Sequence, residues 1–130
     1  MGIAQSFDWD MRTEQDYRKL IEIGLRGDTR YSVEDIVEGL RNGTLQLFEE
    51  PEGIIVTQVM QLRDKRLLVF IMAGQNFRLW KDRMLKKLVD FATEQECVCI
   101  EAFCRPGLAR ILQQENWALH QVLLKFPIQG

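Results

Sequence analysis

The sequence predicts a mixed α/β (α+β) fold in which a central, mostly antiparallel sheet is flanked by helices in the order ααβββαβαβ. Three observations predict it. Residues 76–95, NFRLWKDRMLKKLVDFATEQ, place Phe77, Trp80, Met84, Leu88, Phe91 and Ala92 at spacings of three and four, with charged residues between them and no Pro or Gly to interrupt. One apolar run, Leu67 to Ala73, precedes this helix and another, Cys97 to Phe103, follows it, so the middle of the chain reads strand, helix, strand. Upstream, short runs of strand-forming residues alternate with turn signals.

Taken in order, residues 14–26 read as a first helix, with Thr13 as N-cap, Tyr17, Leu20, Ile21 and Leu25 facing inward, and Gly27-Asp28 closing it. Ser32 caps a second helix, with Asp35 three residues on as an imperfect capping box. Val33, Ile36, Val37 and Leu40 form its apolar stripe, and Asn42-Gly43 ends it. Two such short helices are marginal alone and need a sheet to lie on. Strands at 44–48, 54–60 and 67–73, joined by turns at 49–53 and 63–66, make an antiparallel meander. The long helix returns the chain to a fourth strand, parallel to the third through a right-handed crossover. Arg105-Pro106-Gly107 opens a short helix over 108–115 with Leu108, Ile111 and Leu112 inward, and Trp117 to Phe126 reads as a last strand stopped by Pro127.

Composition narrows the function classes. The 130 residues carry a net charge of −2 with 28% charged side chains, which lacks the basic excess of a nucleic-acid binder. The basic set Arg78, Lys81, Arg83, Lys86 and Lys87 is broken by Asp82 and Asp90 and reads as a solvated helix face. No apolar run approaches a membrane span, and the polar, acidic start is not a signal peptide. Residues 1–12 read as a flexible leader and 13–130 as one domain; Gly2 with Ser6 fits the myristoylation pattern, but no polybasic second signal follows. Cys97, Cys99 and Cys104 are odd in number and read as buried free thiols of a reducing compartment, with Cys97 and Cys99 on one strand face. The lone histidine, His120, leaves a metal site short of ligands and a Ser or Cys triad without its partners; beside Ala118 and Val122 it reads as a packed or edge residue.

The element order, in a chain of this length, resembles the GNAT acyltransferase fold, and two segments add local similarity. Met84 to Cys97 resembles the family's helix-to-strand segment, with its leucine pair and Phe-Ala pair; Arg105 to Trp117 resembles the following short helix, with Asn116-Trp117 where Gly-Phe is usual. The resemblance implies acetyl-CoA held by a loop, Arg/Gln-x-x-Gly-x-Gly/Ala, whose glycines let backbone N–H groups approach the phosphates at a helix N-terminus. Matching Phe91-Ala92 to the family pair lays Asn76 to Lys81 over that loop, with Leu79 and Lys81 at the glycine positions. The resemblance therefore implies no bound cofactor, or else acetyl-CoA held by the side-chain charges of Arg78 and Lys81. The tyrosine that often serves as general acid falls near Leu112, and Glu49 and Glu101 are the remaining candidate bases, although carboxylates at strand ends are commonly just solvated.

This degenerate loop, together with the entry segment Tyr31 to Leu47, resembles small proteins of tailed bacteriophages, including internal virion proteins; the likeness covers residues 14–126. It implies a non-catalytic GNAT-like protein of a tailed phage or prophage, a virion (internal or head-tail) component or assembly factor. Such a protein would contact other virion proteins or its own copies, in the virion or the host cytoplasm. Phe7 and Trp9 of the leader are the candidate partner contacts; Trp80 and Trp117 are further aromatics whose ordinary reading is core packing. The alternative implied is a divergent CoA-dependent N-acetyltransferase.

Overall fold

The computed structural model describes residues 11–25 and 30–128. Its elements are α1 (Glu14–Gly24), α2 (Val33–Asn42), β1 (Gln46–Glu50), β2 (Gly53–Gln61), β3 (Lys65–Gly74), α3 (Phe77–Glu94), β4 (Cys99–Ala102) and α4 (Pro106–Gln113). The described sheet has the order β1-β2-β3-β4, antiparallel through the first three strands and parallel between β3 and β4.

Local chemistry sets the helix starts. Thr13 Oγ1 accepts from Asp16 N at 3.1 Å, satisfying one of the orphan donors of α1. The capping box of α2 is complete: Ser32 Oγ accepts from Asp35 N at 3.1 Å and Asp35 Oδ2 from Ser32 N at 2.9 Å. Gly43, at φ 85°, ends α2 in the left-handed conformation that glycine adopts without a Cβ penalty.

Each face of the sheet carries its own core. On one, α1 and α2 bury Tyr17, Ile21, Ile36 and Leu40 against Ile54, Val56, Ile71 and Ala73. On the other, α3 buries Trp80, Met84, Leu88 and Phe91 against Ile55, Leu67 and Val69. Residues 67, 69, 71 and 73 have one parity and should share a face. They do not, because the register passes from Val56↔Ile71 to Thr57↔Val69 and leaves Phe70 opposite no residue of β2. This β-bulge inverts the strand.

Several expectations are corrected. Trp117 to Phe126 forms no strand, so the described order is ααβββαβα. Residues 118–126 make no backbone hydrogen bond to another described element, and Leu123, Leu124 and Phe126 are exposed. Strand propensity without a partner edge does not make a strand. His120 lies exposed in this segment. The cysteines are not a buried set: Cys97 precedes β4 and is half-buried, while Cys99 and Cys104 are exposed. Helix α1 ends at Gly24 with Leu25 as C-cap, and Gly27-Asp28 lies outside the described residues. So do Gly2, Ser6, Phe7 and Trp9.

Docking begins earlier than Thr13. Arg12 Nη1 donates to Glu49 Oε1 at 2.9 Å, and its Nη2 donates to Glu50 O at 2.9 Å and Pro51 O at 3.0 Å. The buried Tyr17 hydroxyl is shared between both Glu49 carboxylate oxygens, at 2.7 and 2.8 Å, and accepts from Met11 N. Burial first, and then the hydrogen bond to Glu49, pushes the Tyr17 phenol up to about 12. Because the folded-state value lies above the ordinary 10, the stabilisation is complete below pH 10 and is lost as pH rises from about 10 to 12. Two pKa units correspond to about 3 kcal/mol. The Tyr17→Phe variant should be less stable by about 1–3 kcal/mol at neutral pH and lack this part of the alkaline loss, as melting curves of both proteins from pH 8 to 11.5 would check.

Candidate functional site

Among the described strands, the sheet opens at the C-terminal half of β3. Pairing with β4 runs from Arg66↔Cys99 to Val69↔Ala102, and Phe103 N donates to Val69 O at 3.0 Å. Beyond the bulge at Phe70, β3 continues to Gly74 paired only with β2, so the two parallel strands part at their carboxyl ends. Crevices at that end of parallel strands are where ligands enter α/β sheets, and bulges concentrate beside such sites.

The parting lies next to the start of α3, which is held in place tightly. The β3–α3 connection is only Gln75 and Asn76, with Asn76 in the left-handed region at φ 55°. Gln75 N donates to Glu52 O at 3.1 Å, and Trp80 Nε1 donates to Gln75 O at 2.9 Å. The β1–β2 turn presses against this corner through Gly53, opposite Gly74. Arg83 Nε reaches Glu50 Oε1 at 2.8 Å and its Nη2 reaches Glu52 Oε1 at 2.6 Å, while Lys87 Nζ pairs with Glu50 Oε2. Arg83 holds the Glu52 carboxyl below its ordinary range, chiefly through that hydrogen bond.

A narrow crevice runs between sheet and helices, floored by Ile55 and Met72, walled by Phe77 and Met84 of α3, and roofed by Leu112 and Trp117. Its internal space of about 20 Å³ would admit roughly one water. Lys81, Asp82 and Glu115 stand at its edge. Lys81 Nζ lies 3.1 Å from Glu115 Oε1 and 3.1 Å from Asp82 Oδ1, and its side chain is only 17% exposed. The hydrogen bonds that Lys81 donates to Glu115 and then to Asp82 raise its ammonium above its ordinary value, so it stays charged. Arg78 Nη1 donates to Gln114 Oε1 at 3.2 Å. Both cations singled out in the sequence thus lie at the start of α3, tied to the end of α4.

The other candidates sit elsewhere. Glu101 is paired with Arg66 Nη1 at 2.7 Å, and Arg66 also binds Asp64 at 2.7 Å; these two partners push the guanidinium up, Asp64 first. Glu49 is engaged by Arg12 and Tyr17 on the α1 side. Neither carboxylate lines the crevice. Leu112 does line it and offers no proton. Trp80 is 2% exposed and belongs to the core; Trp117 is half-buried at the crevice. Among the described residues, no group of three or more His, Cys, Asp or Glu side chains is placed to hold a metal, and no helix is long and apolar enough to cross a membrane.

Tested against acetyl-CoA, Arg78 and Lys81 fit in position at a helix start, but Lys81 is already paired with Asp82 and Glu115 and there is no backbone cradle. Leu79 and Lys81, at the family's glycine positions, are already inside α3, and Leu79 N donates to Asn76 O at 2.8 Å. Arg78 and Lys81 supply two cations in the first turns of the helix, where its dipole also favours an anion.

No family model and no curated protein matches the chain. Among solved structures it is similar to a ribosomal-protein-alanine N-acetyltransferase from Brucella melitensis biovar Abortus 2308, with 11% identity, TM-score 0.64, and 89% of this chain and 92% of that one covered. A structure described as a probable acetyltransferase shares 13% identity at TM-score 0.66, covering 89% and 92%. The wild-type TTHA1254 protein of Thermus thermophilus shares 23% identity at TM-score 0.58, covering 91% and 94%. At these identities the likeness speaks for architecture alone. The fold of this chain is that of the GNAT acetyltransferases, with a four-stranded described sheet flanked by helices.

Proposed function

We propose that the chain is a CoA-dependent N-acetyltransferase with a divergent site, in which Arg78 and Lys81 grip phosphate by side chains instead of a glycine loop. The observation that carries this reading is the parting of β3 and β4 at the Phe70 bulge, beside a helix start that bears both cations. The acetyltransferase names of its structural neighbours favour it over a purely structural role.

Acetyl-CoA would supply the activated acyl group. Met72, Phe77 and Leu112 would keep water from the crevice floor. A diphosphate would compete with Glu115 for Lys81 and with Gln114 for Arg78, releasing the end of α4 from α3. The titratable side chains lining the crevice are Lys81, Asp82 and Glu115, all ion-paired at its edge. Without a dedicated base, the reaction favours an amine that is partly neutral on arrival. An α-amino group, at about pKa 8, meets that condition better than a lysine side chain, at about 10.4.

The test is thermal unfolding with and without saturating acetyl-CoA. At 100 times the dissociation constant the ligand adds about 2.7 kcal/mol, a rise on the order of 10 °C for a chain of this size. Glu115→Gln removes the competitor for Lys81 and should tighten binding about threefold to tenfold in a titration. No shift in either protein would overturn this reading.

A second reading is favoured by the neutralised Lys81, the one-water crevice and the exposed apolar C-terminal segment: a GNAT-fold protein acting by contact. A virion or assembly role in a tailed phage would be one form of it, supported by the sequence resemblance. None of the three structures compared above is described as a virion protein.

A further inference from the structure

Helix α4 is held lightly by burial: of its eight residues only Leu112 is buried. The two residues that follow it are tied instead by polar side chains to the start of α3. Gln114 Oε1 accepts from Arg78 Nη1 at 3.2 Å, and Glu115 Oε1 pairs with Lys81 Nζ at 3.1 Å. An element with so little buried apolar surface opens at a lower free energy than the core beneath it.

The same turn carries the roof of the crevice. Asn116 is left-handed at φ 70°, and Trp117 N donates to Leu112 O at 3.1 Å across it, so the chain folds back on the helix end. That return sets Trp117, half-buried, at the crevice with Leu112. Residues 118–126 make no backbone hydrogen bond to another described element, so no ladder holds the indole from its far side. With Trp117 in place the crevice has room for roughly one water, although its floor and walls are apolar and include two methionines, Met72 and Met84, which repack readily.

We propose that Glu115 and Trp117 form a two-part gate on this site, the ion pair to Lys81 serving as latch and the indole as plug. They move together because a single residue, Asn116, separates them. When Lys81 turns from Glu115 to a phosphate, the turn is freed, Trp117 withdraws, and an apolar path opens beside the charge that was recognised. An apolar molecule without a phosphate meets a closed crevice. The gate rests on the phosphate-gripping role given to Lys81 above and adds how that grip is coupled to access.

Asp82 supplies the control. It also pairs with Lys81, but it is the next residue on α3 and its side chain is 82% exposed, so its loss leaves the turn after α4 in place.

The experiment reads Trp117 alone, as the difference in fluorescence between each protein and its Trp117→Phe counterpart, with emission spectra and acrylamide quenching. It compares the wild type with Glu115→Gln and Asp82→Asn, each of which removes one carboxylate from the same ammonium. Glu115→Gln should move the Trp117 emission to the red and raise its quenching constant at least about twofold, as a shift toward the open population requires. Asp82→Asn should leave both near wild type, and all the proteins should share one far-ultraviolet circular dichroism spectrum. An unchanged Trp117 signal in Glu115→Gln, or equal changes in the two variants, would overturn the gate. No acetyl-CoA enters these spectra, so a failure here is distinct from an absent melting shift, which tests the acetyltransferase reading itself.

Discussion

Trp80→Ala should cost about 3–5 kcal/mol, the range for removing a buried aromatic side chain. For a 130-residue chain this lowers the melting temperature by about 10–20 °C. The size of the effect comes from three roles in one side chain. Trp80 is 2% exposed in the core beneath α3, stacks edge-on with Phe77 at 4.9 Å, and donates Nε1 to Gln75 O at 2.9 Å. Truncation opens a void beneath the sheet and also leaves the carbonyl of the β3–α3 connection without its donor. Trp80→Phe keeps most of the volume and loses the donor, so it should recover more than half of the loss. Denaturant melts of the three proteins measure both steps. A drop below about 1 kcal/mol for the alanine variant would mean that the corner is not packed as described.

Gly74→Ala should cost about 2–4 kcal/mol, a large effect for one methyl group. A Cβ at this position would lie 2.4 Å from Glu52 O and 2.6 Å from Gly53 Cα, and both obstacles are backbone. No side chain can rotate away. The φ of 151° adds strain for any residue with a Cβ. Relief requires pushing the β1–β2 turn off β3, which also disturbs Gln75 N donating to Glu52 O and the ion pair of Glu52 with Arg83. Gly43→Ala is the control: its φ of 85° carries a comparable conformational cost, but no atom lies within 4 Å of the added methyl. The difference between the two melting curves isolates the steric part, and equal losses would sink the close-packing argument.

Much of the architecture was legible because it rests on local chemistry. Thr13, the Ser32–Asp35 box and Gly43 are caps whose partners lie within three residues or within the glycine itself, and all three stand in the structure. The three-strand meander and the crossover helix follow from periodicity and turn signals, and they too are present. The Phe70 bulge left no trace in the sequence. Leu67 to Ala73 is apolar on both faces, so a change of parity within it alters nothing that a pattern can register. The last strand was over-read for the opposite reason: its pattern is strand-like, but a strand also requires an edge, which pattern alone does not supply. The site was legible in part. Arg78 and Lys81 lie three residues apart on α3, as the helical period dictates, while their ties to Gln114 and Glu115 depend on how α4 returns over α3. Arg12 reaches Glu49 across 37 residues, a pairing no short-range signal announces.

The bulge has a consequence for how variation along this strand would be tolerated. Up to Val69 the odd positions of β3 answer to α3, and from Ile71 onward the odd positions answer to α1 and α2. A substitution profile of the strand would therefore change phase at residue 70, with Met72 grouping with Leu67 and Val69 although it differs from them in parity. Two helical layers that share no side chain are coupled through that single extra residue. Lengthening or shortening β3 there would exchange the partners of every residue as far as Gly74, so this position is constrained in number of residues more strictly than in kind of side chain: phenylalanine could give way to another residue, but not to none.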